Sequence, residues 1–335
     1  MTDPRQELTS TGLSAASIED TAIIEPPPDT QAAAEAAITG QPDQGKPLSL
    51  WGDAWQIMRV RPLFWISAGL IVLFVVMAAF PQLFTSKDPR YCLLTYSRRP
   101  PSASAFFGYD MQGCDIYART IYGARASILV GLLTASLTAA LGAVLGTIAG
   151  YIGGWLDSLL SRIADIFFSI PLLLGAIVIM YSFPVSIDAP SILVISKVVI
   201  AMALLSWPNI FRLMRSSVMQ VKPNEYVLAA RALGAGPMRI VSSHVVPNSL
   251  APVIVVATID LGTYIATEAT LSFLGVGLQQ PVVSWGIAIS AASALGYIRT
   301  APFMLLFPAL FLCLTVLAFI MMGEVVRDAL DPKLR

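Results

Sequence analysis

The chain has 335 residues, 56% of them apolar and only 13% charged, with a formal net charge of zero. A water-soluble domain carries about 25% charged residues, so a mean hydropathy of +0.72 calls for a non-aqueous solvent. Zero net charge leaves no footprint for nucleic acid, and a single histidine, His244, speaks against a histidine-based metal centre.

Residues 1–46 are rich in Ala, Pro, Thr and Gln, with eight acidic against two basic residues. Such a tail has little to bury and is expected to be disordered. The first apolar run follows about 60 mostly polar residues, too late for a cleaved leader. A helix needs about 20 apolar residues to cross the hydrocarbon. Between Arg61 and Lys87 lie 25 uncharged residues, which predicts span 1 near Leu63–Phe84 with Pro81 near its end. The 31 uncharged residues between Arg125 and Asp157 predict span 2 near Ser127–Ile152. Span 3 is expected at about Ile166–Phe183 with Pro171 inside it, and span 4 near Ile192–Phe211 with Lys197 inside it. Span 5, near Ser249–Leu271, contains Asp260 and Glu268, and span 6 covers about Ala301–Met322. These uninterrupted runs lack the alternation of a barrel, so the expected fold is an all-α polytopic membrane protein with six transmembrane helices. Gly142, Gly146 and Gly150 recur every four residues in span 2 and form a smooth stripe for a close neighbour.

The expected divisions are a tail 1–46, a segment 47–86 with the first span, an outer loop 87–125, and a core 126–335 with five spans. Counting Lys and Arg with the N-terminus inside places thirteen on inner segments and seven on outer ones. That excess favours both termini inside. Cys313 reads as a small apolar core residue. Cys92 and Cys114 share the outer loop and are candidates for a disulfide worth about 3 kcal/mol by loop closure, the alternative being two free thiols.

The inner loop 212–248 is too long for a plain connector. Pro223 suits a first helical turn, and Glu225 complements the positive end of the helix dipole. The run Glu225 to Leu233 is made of helix formers, and Gly234 stops it as a C-cap glycine does. Gly236-Pro237 opens a second helix, from Met238 to about Val246, which Pro247 is expected to end. Its apolar residues are not needed for spanning, so the loop reads as a docking element for a soluble partner.

At these residues the chain resembles the permeases of binding-protein-dependent ABC importers, whose signature loop reads Glu-Ala-Ala, three residues, Gly, nine residues, Ile, one residue, Leu-Pro. Here Leu228-Ala229-Ala230, Gly234, His244, Val246 and Pro247 keep the Gly-to-Pro spacing, with Leu228, His244 and Val246 departing from the pattern. The stretches Gly108 to Asp115, Tyr122 to Ser127, Leu271 to Gly275, Ser284-Trp285-Gly286 and Arg327 to Pro332 resemble one branch, the C-type subunit of dipeptide and oligopeptide importers. Cys114 stands where that branch has arginine, which supports a pairing with Cys92.

The resemblance implies a type I importer permease (MetI-like) fold in the bacterial cytoplasmic membrane. It implies a homologous second permease subunit, two ABC ATPase subunits and an extracytoplasmic peptide-binding protein as partners, embedded in lipid. ATP and Mg would be bound by those partners, and the chain itself has no Gly-x-x-x-x-Gly-Lys-[Ser/Thr] run. The expected ATPase-coupling residues are Glu225, Ala229, Ala230, Arg231, Gly234, Ala235 and Pro247. Asp260 and Glu268 are candidates for the pore wall because ionisable groups in spans are costly, and Lys197 is expected to meet a carboxylate. The solute is expected to be a di- or oligopeptide. Nickel or glutathione import through a permease of the same branch is the alternative, as is an ion-gradient-driven transporter. The last would need an internal repeat, which is not seen; an intramembrane enzyme lacks a catalytic constellation.

Overall fold

The computed structural model describes residues 50–186 and 189–330. The expectation of disorder for the tail 1–46 lies outside the described residues. Five helices are long and apolar enough to cross a membrane, and a sixth crossing exists if one sharply bent pair counts as a single span.

Helix α1 (Leu50–Val60) and helix α2 (Pro62–Ala79) are separated by Arg61 alone. A residue before proline is pushed out of the helical region, and Arg61 is extended there. The same rule ends α2 earlier than expected. Phe80 precedes Pro81 and leaves the helix, and Pro81–Leu83 forms a 3₁₀ turn. The freed carbonyls at this end are satisfied by Arg125, whose guanidinium donates to Ala78 and Ala79 at 2.9 and 3.0 Å.

Helix α3 (Ile116–Ile152) is 37 residues long, roughly 55 Å at 1.5 Å per residue. Asp115 caps it, its carboxylate accepting from the Ala118 N–H at 3.1 Å. The outer loop expected at 87–125 is therefore shorter: residues 116–125 are the first turns of α3. Gly153, at φ +75°, ends the helix.

The expected span 3 is not one helix. Helix α4 (Gly154–Phe168) and helix α5 (Leu172–Ser182) meet at 86° across Ser169–Pro171. Pro171 offers no N–H to the preceding turn and disfavours a helical Ile170, so the chain turns where the hydropathy alone runs on. Two ion pairs hold α4 against helix α6 (Ser191–Val221): Arg215 grips Asp157 with two bonds of 2.5 and 2.7 Å, and Arg212 meets Asp165 at 2.7 Å.

The stripe on α3 is where α6 lies. A Cβ on Gly142 would stand 2.6 Å from the Ile210 Cβ, one on Gly146 2.7 Å from the Phe211 carbonyl oxygen, and one on Gly150 2.9 Å from the Arg215 carbonyl oxygen. Without a hydrophobic drive between helices in lipid, such close backbone approach supplies the packing. Helix α7 (Glu225–Ala232) and the short helix α8 (Pro237–Ile240) follow α6, and helix α9 (Val246–Phe273) returns across the bundle. Helices α10 (Trp285–Ala292), α11 (Leu295–Thr300) and α12 (Phe303–Leu330) complete the chain. The fully buried Trp285 ties α10 to α3, its indole N–H donating to the Thr120 carbonyl at 2.9 Å and its ring meeting Phe74 edge-on. Arg61 pairs with Asp328, joining the start of α2 to the end of α12. Cys313, expected in the core, is exposed on α12, on the surface left for lipid or a partner.

Gly146→Leu forces α3 and α6 apart at the Phe211 carbonyl. Overpacking of this kind costs about 1–3 kcal/mol or more, and we expect a lowered thermal midpoint in detergent, read by size-exclusion chromatography after heating. A midpoint equal to wild type refutes the tight contact.

Candidate functional site

Helix α6 continues to Val221, so the inner loop expected from Arg212 begins ten residues later, at Lys222. The Lys222 ammonium donates to the Tyr151 carbonyl at 2.8 Å and closes the end of α3. From there the chain enters α7, with Glu225 in the first turn and Arg231 in the last, both complementing the helix dipole. Gly234 has φ +83°, and the turn is closed by N–H bonds from Gly234 to Arg231 and from Ala235 to Ala230, of 3.0 and 3.1 Å. A Cβ on Gly234 would touch nothing within 4 Å, so its requirement is conformational and not steric.

One face of this loop is anchored and the other is bare. Val227 and Ile240 are buried with Ile210, Met214 and Val218 of α6 and Val253 of α9, and Ala235 packs at the edge of that cluster. Turned outward are Leu233, 89% exposed, and Met238, 79% exposed, beside Tyr226 and Leu228. Ala229 and Arg231 are exposed with them, and Ala230 is half-buried. An apolar patch held on a rigid support is a contact surface awaiting a partner.

Pro247 does not end the second helix. Residues Pro237–Phe273 form one continuous run of 37 residues, with a π-helical turn at Val241–Val245 just before the proline. The Val246 N–H reaches back to the Val241 carbonyl, which widens the turn where Pro247 has no N–H to give. One residue on, the Asn248 side-chain amide donates to the His244 carbonyl at 2.6 Å, an added bond in the same turn. The docking loop is thus covalently and helically continuous with α9.

The two carboxylates of α9 part company. Asp260 is half-buried, whereas Glu268 is completely buried and reaches no surface of this subunit, contrary to its expected place on a pore wall. Eight residues turn a 3.6-residue helix by about 80° beyond two full turns, enough to aim Glu268 inward. One of its oxygens accepts from Ser272 at 2.7 Å, and Ser127 of α3 and Ser284 flank the same carboxyl. Lys197, expected to meet a carboxylate, donates instead to the Met180 carbonyl at 2.7 Å.

At the opposite end of the bundle from α7, Cys92 and Cys114 are joined by a disulfide, with their Cα atoms 4.1 Å apart. Asp110 organises the segment beside it, accepting from the Gln112 and Cys114 N–H groups at 2.8 and 2.9 Å and from Arg119 at 2.5 Å. Lys87 meets Asp115 at 2.6 Å, Tyr96 stacks on Tyr109, and Phe107 stacks on Phe307 of α12 with centroids 3.8 Å apart. Asp110 falls within the Gly108 to Asp115 stretch that carries the resemblance, whereas Arg119 and the Asp157–Arg215 pair had no distinguishing mark in the sequence, because isolated charges near span ends are common.

A helical bundle with five or six apolar crossings and an ordered inter-span helix, bare on one side, defines the class as a polytopic α-helical membrane protein. The chain belongs to the family described as binding-protein-dependent transport system inner membrane components, whose model matches residues 142–335. Residues 49–101 match the N-terminal transmembrane domain of oligopeptide transport permease C. Among relatives, the oligopeptide transport system permease protein OppC of Bacillus subtilis is 39% identical over 87% of this chain and 92% of its own length. The dipeptide permease DppC of Alkalihalophilus pseudofirmus is 39% identical over 88% of this chain and 93% of its own. The glutathione permease GsiD of Escherichia coli is 35% identical over 91% and 97%. Among solved structures, the MetNI methionine ABC transporter in inward-facing conformations matches with a TM-score of 0.49 at 21% identity, covering 63% of this chain and 96% of that one.

The Cys92–Cys114 bridge closes a loop of 22 residues in sequence separation, which on loop-closure entropy is worth about 3 kcal/mol. Intact mass spectrometry of purified protein is expected to show a 2 Da gain on reduction (about one proton mass per sulfur, the bridge being the cross-link). Cys92→Ser is expected to lower the thermal midpoint. Two free thiols in freshly purified protein refute the bridge.

Proposed function

We propose that this chain is one permease subunit of an ATP-driven importer for short peptides, forming half of a translocation pore with a homologous permease. Both termini lie on the inner side of the bacterial cytoplasmic membrane. The loop around Glu225, Ala229, Ala230, Arg231, Gly234 and Ala235 docks on one of two ATPase subunits, and a peptide-binding protein delivers solute at the disulfide end. ATP and Mg are bound by the ATPase partners, not by this chain. The observation that carries the reading is the similarity to named oligopeptide and dipeptide permeases over some nine-tenths of their length. The bare face of the α7–α8 loop supports the docking half of the proposal, since Leu233 in the turn and Met238 on α8 are left to water unless a partner covers them.

Motion follows from the continuity of the loop with α9. A force applied to α7 and α8 passes through the π turn at Val241–Val245 into the helix that carries Asp260. Closing and opening of the ATPases would rock α9 against α3 and α6 and so alternate the access of the pore. Asp260, half-buried on α9, is offered as a pore-wall residue that favours the amino group of a peptide. The similarity to glutathione permeases favours a second reading, in which the solute is that tripeptide.

Two substitutions test the docking role. Leu233→Asp changes a side chain that the isolated subunit leaves exposed, and Gly234→Val strains a backbone at φ +83° without a clash. Each is expected to reduce co-purification of the ATPase and to lower ATP-dependent uptake in proteoliposomes by about tenfold or more, the usual effect of losing a hot-spot contact. Peptide uptake by the wild-type complex is expected to require ATP and to survive collapse of ion gradients. Uptake that follows an ion gradient instead, or unaltered coupling in both variants, refutes the proposal. Competition with unlabelled dipeptide, oligopeptide and glutathione sorts the solute readings.

A further inference from the structure

Lys197 has no role in the coupling just described. It lies in α6 six residues beyond Ser191, roughly 9 Å along the helix axis from its start. A lysine in a membrane span is costly and is retained where it meets a partner or a polar cavity. Its ammonium gives one hydrogen bond, to the Met180 carbonyl at 2.7 Å. Among the described residues no carboxylate pairs with it, so a full positive charge and further N–H donors are left over.

Those donors open into a cavity of about 430 Å³. Its walls come from the end of α5 and the residues 184–186 after it, the start of α6 and the segment after α9, with apolar Val194 and Val276, Tyr181, Gln280, and Gln279, whose amide also donates to the Gly275 carbonyl at 3.3 Å. A volume in the range of small-ligand sites, apolar walls and a few convergent polar groups are what a solute site requires. The cavity sits at the disulfide end, because a neighbouring one is lined by Ser191 and Val282 together with Ser86 and Arg90. It is the end from which solute arrives.

The geometry points to a carboxylate-binding subsite in which Lys197, seconded by Gln279 and Gln280, takes the terminal carboxylate of the solute on its way into the pore. This deepens the peptide-importer reading and rests on it. A carboxylate completes what the subunit leaves open: it neutralises the ammonium and accepts both its free N–H groups and the side-chain amides.

The test uses the complete importer, with both permeases, the ATPases and the binding protein, in proteoliposomes. ATP-dependent uptake of dialanine is compared with that of its C-terminal amide, each expressed per loaded binding protein, so that the selectivity of the binding protein drops out. Wild type is expected to move the acid faster than the amide. Lys197→Met is expected to lower acid uptake by about tenfold, as loss of a charged hydrogen-bond partner does, and to erase the preference; Lys197→Arg is expected to keep it. Losing a charge from a span eases insertion, so the Met variant should assemble with normal ATPase content.

Equal loss for acid and amide assigns Lys197 to holding the end of α5 and overturns the subsite. So does a Met variant that matches wild type. An effect seen in vesicles containing phosphatidylglycerol but not in pure phosphatidylcholine assigns the cavity to a lipid phosphate and also overturns it. A wild-type complex that moves neither compound, while its ATPase still responds to the binding protein, refutes the peptide reading, and the subsite falls with it.

Discussion

The close approach of α3 and α6 is the contact on which the rest of the molecule depends. Lipid offers helices no hydrophobic reward for meeting, so their association rests on backbone proximity. Gly142, Gly146 and Gly150 allow it, since a Cβ at any of them would stand within 3 Å of α6 atoms. Helix α6 in turn carries both working ends. Towards one it holds Lys197 over the cavity at the disulfide end. Towards the other, Ile210, Met214 and Val218 form the apolar seat for Val227 and Ile240, while Arg212 and Arg215 hold α4.

The same economy explains why charge appears where it does. The Asp157–Arg215 pair is bidentate and partly buried, so it fixes the angle of α4 as well as its distance. Glu268 is spent inside the bundle, between α3 and α10, with serines around it. Among the described residues Lys197 has no carboxylate partner and lines a cavity, and Asp260 of α9 likewise has no cationic partner.

Continuity from α8 through the π turn to α9 is the mechanical counterpart. A docking helix on a flexible loop would absorb the movement of its partner. Here Val227 pins α7 to the bundle, and Pro237–Phe273 forms a single run, so the short helix after the Gly234 turn leads without a break into α9. The proline at 247 loosens one turn without cutting the helix.

The amino-acid sequence by itself located five of the six apolar crossings, the glycine stripe and the helix from Glu225 to the Gly234 turn. Each is a local matter: apolar run length, four-residue spacing, and a residue free to take positive φ. It also marked Cys92 and Cys114 as candidates by their shared loop. Only the tertiary structure decided the rest. Pro171 breaks a helix and Pro247 does not, because in the second case a π turn at Val241–Val245 widens the helix just before the proline. The facing of Glu268, and the absence of a carboxylate at Lys197 among the described residues, depend on which helix lies opposite, and helix neighbours in a membrane are chosen by shape across the whole bundle and not by any one segment.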